Sequence, residues 1–111
     1  MPKRNNLVRH SSEEVMGEDS FVLLRRVSWG EAKRRNWLSG KRGDMAVTTD
    51  MADDVVTYCV VDWNWVDDDG HPLPIPSVKP EVVDELTLEE TSFILEKVFN
   101  SKVDVAKKKK S

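Results

Sequence analysis

The pattern of hydrophobic and polar positions predicts a strand followed by a helix in the first half of the chain. Residues 21–27 are mainly apolar and include β-branched side chains, which predicts a short strand. Ser28 and Glu31 have the capping-box spacing, in which each side chain satisfies a free backbone N–H of the first helical turn. We therefore expect a helix from Trp29 to about Leu38.

The segment 50–63 fits two templates. A four-residue repeat of apolar side chains favours a helix, and its members are Met51, Val55, Cys59 and Trp63. The many β-branched and aromatic residues of the same segment favour a strand. Thr48 and Thr49 lie just before this segment and can cap a helix that runs from Asp50 to Trp63. We favour this helix and keep a strand as the alternative.

A proline-rich stretch comes next. Pro72, Pro74 and Pro76 alternate with apolar residues, and proline fixes φ and donates no backbone hydrogen bond, so residues 72–76 should form a stiff, extended strap. Trp63 and Trp65, just upstream, are the expected platform for it.

A final helix is predicted near the C-terminus. Pro80 suits the first position of one or two helical turns. Thr87 and Glu90 form a second capping box that opens a helix from Leu88 to about Asn100. Its expected apolar face consists of residues three or four apart, namely Leu88, Thr91, Ile94, Leu95, Val98 and Phe99.

These elements predict a mainly α (α+β) fold. We expect one small domain over residues 20–100, in which short N-terminal strands precede three to four helices and the strap. Residues 1–19 should form a mobile N-terminal arm, because they are largely polar. Residues 101–111, rich in lysine, should form a basic disordered tail.

Charge is distributed unevenly along the 111 residues. The net charge is +5 over residues 1–43, −12 over residues 44–100 and +4 over residues 101–111. An acidic body repels nucleic acid, so we expect no nucleic-acid partner and disfavour a DNA-associated regulator that would use residues 32–37. No apolar run is long enough to span a bilayer, and we expect neither a membrane partner nor a signal peptide.

The sequence contains few residues that could act as nucleophiles, metal ligands or acid–base catalysts. Cys59 is the sole cysteine and lies on the apolar repeat, which predicts a buried, inert thiol. The turn at residues 67–70 is acidic, which raises the question of a calcium loop of the EF-hand type. Aligning its glycine with that motif places Trp65 and Pro76 at ligand positions, where neither side chain offers an oxygen, so we expect a solvated turn. His10 and His71 form no catalytic pattern. We predict no enzyme, no catalytic residue, no cofactor and no metal.

Four tryptophans are many for a chain of this length. Tryptophan is enriched both in small cores and at interface hot spots. We expect Trp63 in the core, leave Trp65 open between the strap and a partner, and expect at least one of Trp29 and Trp37 to be exposed. A surface that binds another protein is therefore predicted.

Three segments together resemble the tail assembly chaperone-like proteins of long-tailed bacteriophages and prophages. They are residues 23–31, residues 61–76 with their W-x-W, acidic turn and L-P-x-P run, and residues 85–90. The resemblance covers roughly residues 20–100.

This resemblance implies a small, mainly helical, non-catalytic protein in the host bacterial cytoplasm. It would bind the tape measure protein, or another tail protein, and assist assembly of the tail tube. We expect a groove lined by Trp29, Trp37 and Trp65, with Leu73 and Ile75 on its rim, to capture amphipathic helices. A structural virion component, such as a tail, connector or decoration subunit, is the alternative; a homo-oligomer stays open.

Overall fold

The computed structural model describes residues 6–37 and 49–99. Its strands form one antiparallel sheet in the order β1–β2–β3, with β1 at Leu7–Ser11, β2 at Phe21–Arg25 and β3 at Val60–Trp63. The α-helices are α1 at Glu13–Met16, α2 at Trp29–Arg34, α3 at Thr49–Cys59 and α4 at Leu88–Phe99, and a 3₁₀ helix spans Pro80–Glu85.

One face of the sheet carries the core. Val22 and Leu24 alternate along β2 and are buried. Their antiparallel partners on β3 are Trp63 and Val60, which are also buried. Residues directly opposite in antiparallel strands share a face, so this face packs inward against α3, which also contacts α4.

The prediction of a mainly α fold is wrong. The described residues form a small α+β fold with a three-stranded antiparallel sheet and five helices, 47% helical and 19% strand. Two of the three strands, β1 and β3, lie in segments where we expected a mobile arm and a continuous helix. Both strands are held by pairing with β2, a long-range contact that local patterns do not report.

Residues 7–16 are part of the folded structure, contrary to the expectation of a mobile arm over residues 1–19. They form β1 and α1, and β1 pairs with all five residues of β2. The guanidinium carbon of Arg9 lies 4.2 Å from the centre of the Phe21 ring. Residues 1–5 and the predicted basic tail at 101–111 lie outside the described residues.

The segment 50–63 is neither all helix nor all strand. Helix α3 ends at Cys59 and β3 begins at Val60. The helix that we favoured is therefore correct for its first part and wrong for its last turn. Val60 and Val61 are β-branched, and pairing of β3 with the centre of the sheet adds backbone hydrogen bonds that favour the strand.

The proline-rich strap contacts the tryptophan pair as expected. The Trp63 and Trp65 rings stack with centres 4.7 Å apart and planes 8° apart. The Trp63 indole N–H donates to the carbonyl of Leu73 at 3.0 Å, and the Leu73 N–H donates to the carbonyl of Trp65 at 2.9 Å. Leu73 is buried, and so is Pro76 at the end of the strap.

The second capping box forms in full, with the Thr87 N–H donating to Glu90 Oε1 at 2.9 Å and the Glu90 N–H donating to Thr87 Oγ1 at 3.1 Å. The expected apolar face of α4 needs correction at two positions. Leu88 is 86% exposed, because the first turn of α4 extends beyond the core. Phe93 is buried and lies 6.4 Å from Trp65, measured between ring centres.

The first predicted helix is shorter than expected. The Glu31 N–H donates to Ser28 Oγ at 3.1 Å, as a capping serine should. The helix α2 ends at Arg34, because Asn36 adopts a φ of 66°, which turns the chain out of the helix. Residue 38, its predicted end, lies outside the described residues.

A buried relay of hydrogen bonds joins the N-terminal segment to the core. The Trp65 indole N–H donates to Ser12 Oγ at 2.8 Å, Ser12 Oγ–H donates to Ser20 Oγ at 2.7 Å, and Ser20 Oγ–H donates to the carbonyl of Gly17 at 2.7 Å. Every donor in this relay has an acceptor, so the two buried serines are satisfied.

We predict that Ser12→Ala lowers the free energy of unfolding by about 2 kcal/mol, because it leaves the buried Trp65 N–H without an acceptor. Urea unfolding followed by tryptophan fluorescence measures the change. Ser11→Ala is the matched control, since Ser11 is exposed and accepts one N–H at 3.4 Å. Equal stabilities of the two variants would contradict the role of the relay.

Candidate partner-binding surface

The predicted groove does not form on the described surface. Trp37, Trp65 and Leu73 are 2%, 0% and 7% exposed and belong to the core. Ile75 is half-buried and packs against that core. Trp29, by contrast, is 70% exposed. Of the five residues predicted to bind a partner, the structure therefore presents Trp29 to solvent and does not bring the five together.

Trp37 is buried because its side chain forms a hydrogen bond and ring contacts with residues of α3 and α4. Its indole N–H donates to Asp54 Oδ2 at 2.9 Å. Its ring meets Tyr58 and Phe99 edge to face, with centres 6.0 and 6.1 Å apart. Sequence reasoning missed this because Asp54 lies seventeen residues further along the chain, although an indole needs an acceptor when buried.

Trp29 is the first residue of α2, and this helix buries Ala32 alone. The helix therefore adds little to the core. A large, exposed aromatic side chain at the start of a surface helix is a candidate contact for another protein.

A cavity of about 520 Å³ opens beside the start of α2, and Ser28 and Glu31, which flank Trp29 closely in sequence, line it. Its apolar lining comes from the ends of the first two strands and from α3, namely Leu7, Val27 and Tyr58. Its cationic lining is Arg25 and Arg26. This cavity suits a partner segment that carries both apolar and acidic side chains.

Tyr58, which lines this cavity, has two guanidinium groups close to its ring. The guanidinium carbons of Arg25 and Arg35 lie 4.8 and 4.0 Å from the centre of its ring. These distances are within the range of cation–π attraction. The tyrosine ring is therefore held in place by positive charge on both strand β2 and the end of α2.

The position of Arg35 is fixed by two carboxylates. It donates to Glu31 Oε2 at 2.7 Å and to Asp54 Oδ1 at 2.8 Å. Arg34 also pairs with Glu31. Hydrogen bonds from Arg34 and Arg35 lower the pKa of Glu31, and the bond to Glu31 raises the pKa of Arg35. This network holds in place Glu31, which lines the cavity, and the guanidinium of Arg35, which lies over the Tyr58 ring.

The acidic turn at residues 67–70 is stabilised by hydrogen bonds between its own backbone and an aspartate side chain, as predicted. Asp67 Oδ1 accepts the backbone N–H groups of Asp69 and His71, both at 2.9 Å. These bonds, the one from His71 first, lower the pKa of Asp67. Gly70 has a φ of 84°, which glycine adopts without strain. Ligand atoms of Asp67, Asp69 and His71 lie within 4.8 Å of one another, but Asp67 Oδ1 is already used by the turn.

Cys59 is fully buried at the end of α3, which confirms the predicted burial. Burial raises the pKa of its thiol to about 12. A thiol must ionise to act as a nucleophile, so its environment suits packing rather than covalent chemistry.

We predict that Cys59 reacts with a thiol reagent far more slowly in the folded protein than in the unfolded chain. At about pH 8, roughly 10⁻⁴ of a thiol with such a pKa is ionised, and the core also excludes the reagent. Labelling with a chromogenic disulfide should be at least about a hundredfold slower in buffer than in denaturant. The whole signal reports Cys59, because the chain has one cysteine. Native labelling within tenfold of the denatured rate would contradict its burial.

Comparison of the chain with protein-family models, with curated proteins and with solved structures found no match. Among the described residues, no helix is long and apolar enough to cross a membrane.

Proposed function

We propose that this protein is a non-catalytic assembly factor for the tails of long-tailed bacteriophages. It works in the bacterial cytoplasm and binds the tape measure protein, or another tail protein, until the tail tube forms. The segments 23–31, 61–76 and 85–90 that resemble tail assembly chaperone-like proteins support this proposal. The observation that carries it is the exposed indole of Trp29.

The proposed contact is a surface, in place of the groove expected from the sequence. Trp29 supplies its apolar anchor, and the neighbouring cavity supplies Leu7, Val27 and Arg26. An amphipathic helix of the partner places an apolar side chain against the indole and an acidic one near the arginine. Covering an indole that is mostly exposed contributes about 2 kcal/mol to binding.

Co-expression with the tape measure protein of the same genome tests this proposal. We expect the tape measure protein to become more soluble and to co-purify with the chain. Trp29→Ala should weaken the complex about thirtyfold, which corresponds to about 2 kcal/mol. Leu88→Ala is the matched control, because Leu88 is an exposed apolar residue at the first position of α4.

Two negative results have different meanings. Unchanged solubility together with no complex would contradict the chaperone function. If a complex forms and Trp29→Ala weakens it no more than Leu88→Ala does, the chaperone function stands, but the proposed contact at Trp29 is wrong. Thermal unfolding of both variants shows whether the fold is intact.

A structural virion component is the second candidate, and the charge of the sheet favours it. Arg9, Arg25 and Arg26 are exposed on or next to β1 and β2 and are suited to an acidic surface of a neighbouring subunit. Mass spectrometry of purified particles separates the two candidates. We expect the chain to be absent from finished particles, since an assembly factor leaves; stoichiometric amounts there would favour the structural component.

A further inference from the structure

A second cavity, of about 370 Å³, lies where β1, the end of β2 and the last turns of α4 meet. Its lining combines three apolar side chains, two cationic ones and one titratable one, and these are Val8, Val27 and Val98, Arg26 and Lys97, and His10. The three cationic or titratable residues come from three separate parts of the chain, so their convergence is a product of the fold.

His10 lies on the inward side of the sheet. In the register of β1 and β2, Val8 is opposite Leu24 and His10 is opposite Val22. Both β2 residues are buried in the core, and residues directly opposite in antiparallel strands share a face. The half-buried imidazole therefore occupies an inward-facing position of the strand, and such positions usually carry apolar side chains.

The cationic side chains of this cavity lack an ion-pair partner within 4.0 Å among the described residues. None of the ion pairs among the described residues involves His10, Arg26 or Lys97. Lys97 stands over the Phe93 ring, 5.2 Å from its centre. Burial lowers the pKa of His10, and the positive charge of Lys97 lowers it further.

We propose that this cavity binds a small oxyanion, with His10, Arg26 and Lys97 contacting the anionic group. An arginine presents a planar fork of N–H donors that matches sulfate, phosphate and carboxylate groups, and lysine adds a mobile point charge. Where the anionic group belongs to an organic molecule, the three valines contact the apolar part of that molecule. This site shares Arg26 and Val27 with the first cavity, but anion binding there does not depend on the proposed chaperone function.

The same oxyanion chemistry has two sources, a free inorganic ion or the carboxylate of a small organic acid. Sulfate and benzoate are suitable probes, because neither changes its charge in the range where histidine titrates. Sodium chloride at equal ionic strength controls for screening. Tighter binding of benzoate identifies an organic acid, since the valines then bury its ring; tighter binding of sulfate identifies an inorganic ion. Either result supports the site.

NMR titration of the two histidines of the full chain reports binding directly. A bound anion stabilises the imidazolium, so we expect sulfate or benzoate to move the titration midpoint of His10 to higher pH. By linkage, anion affinity should rise as the pH falls and His10 becomes protonated. His71, in the acidic turn, is the internal control and should not respond.

Two substitutions test the cationic residues. Lys97→Met and Arg26→Gln should each weaken anion binding about tenfold, the value for a charge-assisted hydrogen bond worth about 1.4 kcal/mol. Lys79→Met is the matched control, because it removes the same charge from an exposed position before the 3₁₀ helix. The far-UV spectrum and thermal unfolding confirm that each variant is folded.

The proposal is overturned if the His10 titration is the same in sulfate, benzoate and chloride, or if Lys97→Met and Arg26→Gln bind as tightly as the control. His10 would then be an inward-facing polar residue on one of the two outer strands of the described sheet, where such residues discourage pairing with another chain.

Discussion

The stacked indoles of Trp63 and Trp65 connect the parts of this fold that are far apart in sequence. Their rings are nearly parallel at 4.7 Å, and each N–H group bonds to a different segment. One bonds to Ser12, between β1 and α1, and the other bonds to the carbonyl of Leu73 in the proline-rich strap. A buried indole N–H without an acceptor would be costly, so both segments stabilise the burial of the tryptophans.

Features set by neighbouring residues could be predicted from the sequence. The Thr87 capping box and the contact between the strap and Trp63 are examples, because a few adjacent residues determine each one. Strand β1 could not be predicted in this way. Its residues alternate only weakly in polarity, and what orders them is pairing with β2 and the bond between Trp65 and Ser12, fifty-three residues away. Tertiary contacts override local propensity at such places.

The candidate surface was harder to predict than the fold for a related reason. Counting tryptophans suggested more indole surface than a small core can bury, but the count ignores geometry. Stacking lets Trp63 and Trp65 share one region of the core, and Asp54 supplies an acceptor that allows Trp37 to be buried. Trp29 has neither arrangement among the described residues and stays exposed, so the surface proposed to bind a partner is smaller than the groove we expected.

The two proposed sites meet at the end of β2. Arg26 and Val27 line both cavities, whereas Lys97 lines the oxyanion cavity and Tyr58 the other. A bound anion would compensate the charge of Arg26, and an acidic partner segment would compete for that same charge. Sites that share a charged residue affect each other's affinity reciprocally. Arg26→Gln is therefore expected to weaken both the binding of an anion and the binding of a partner, whereas Trp29 and Lys97 each belong to one of the two interactions.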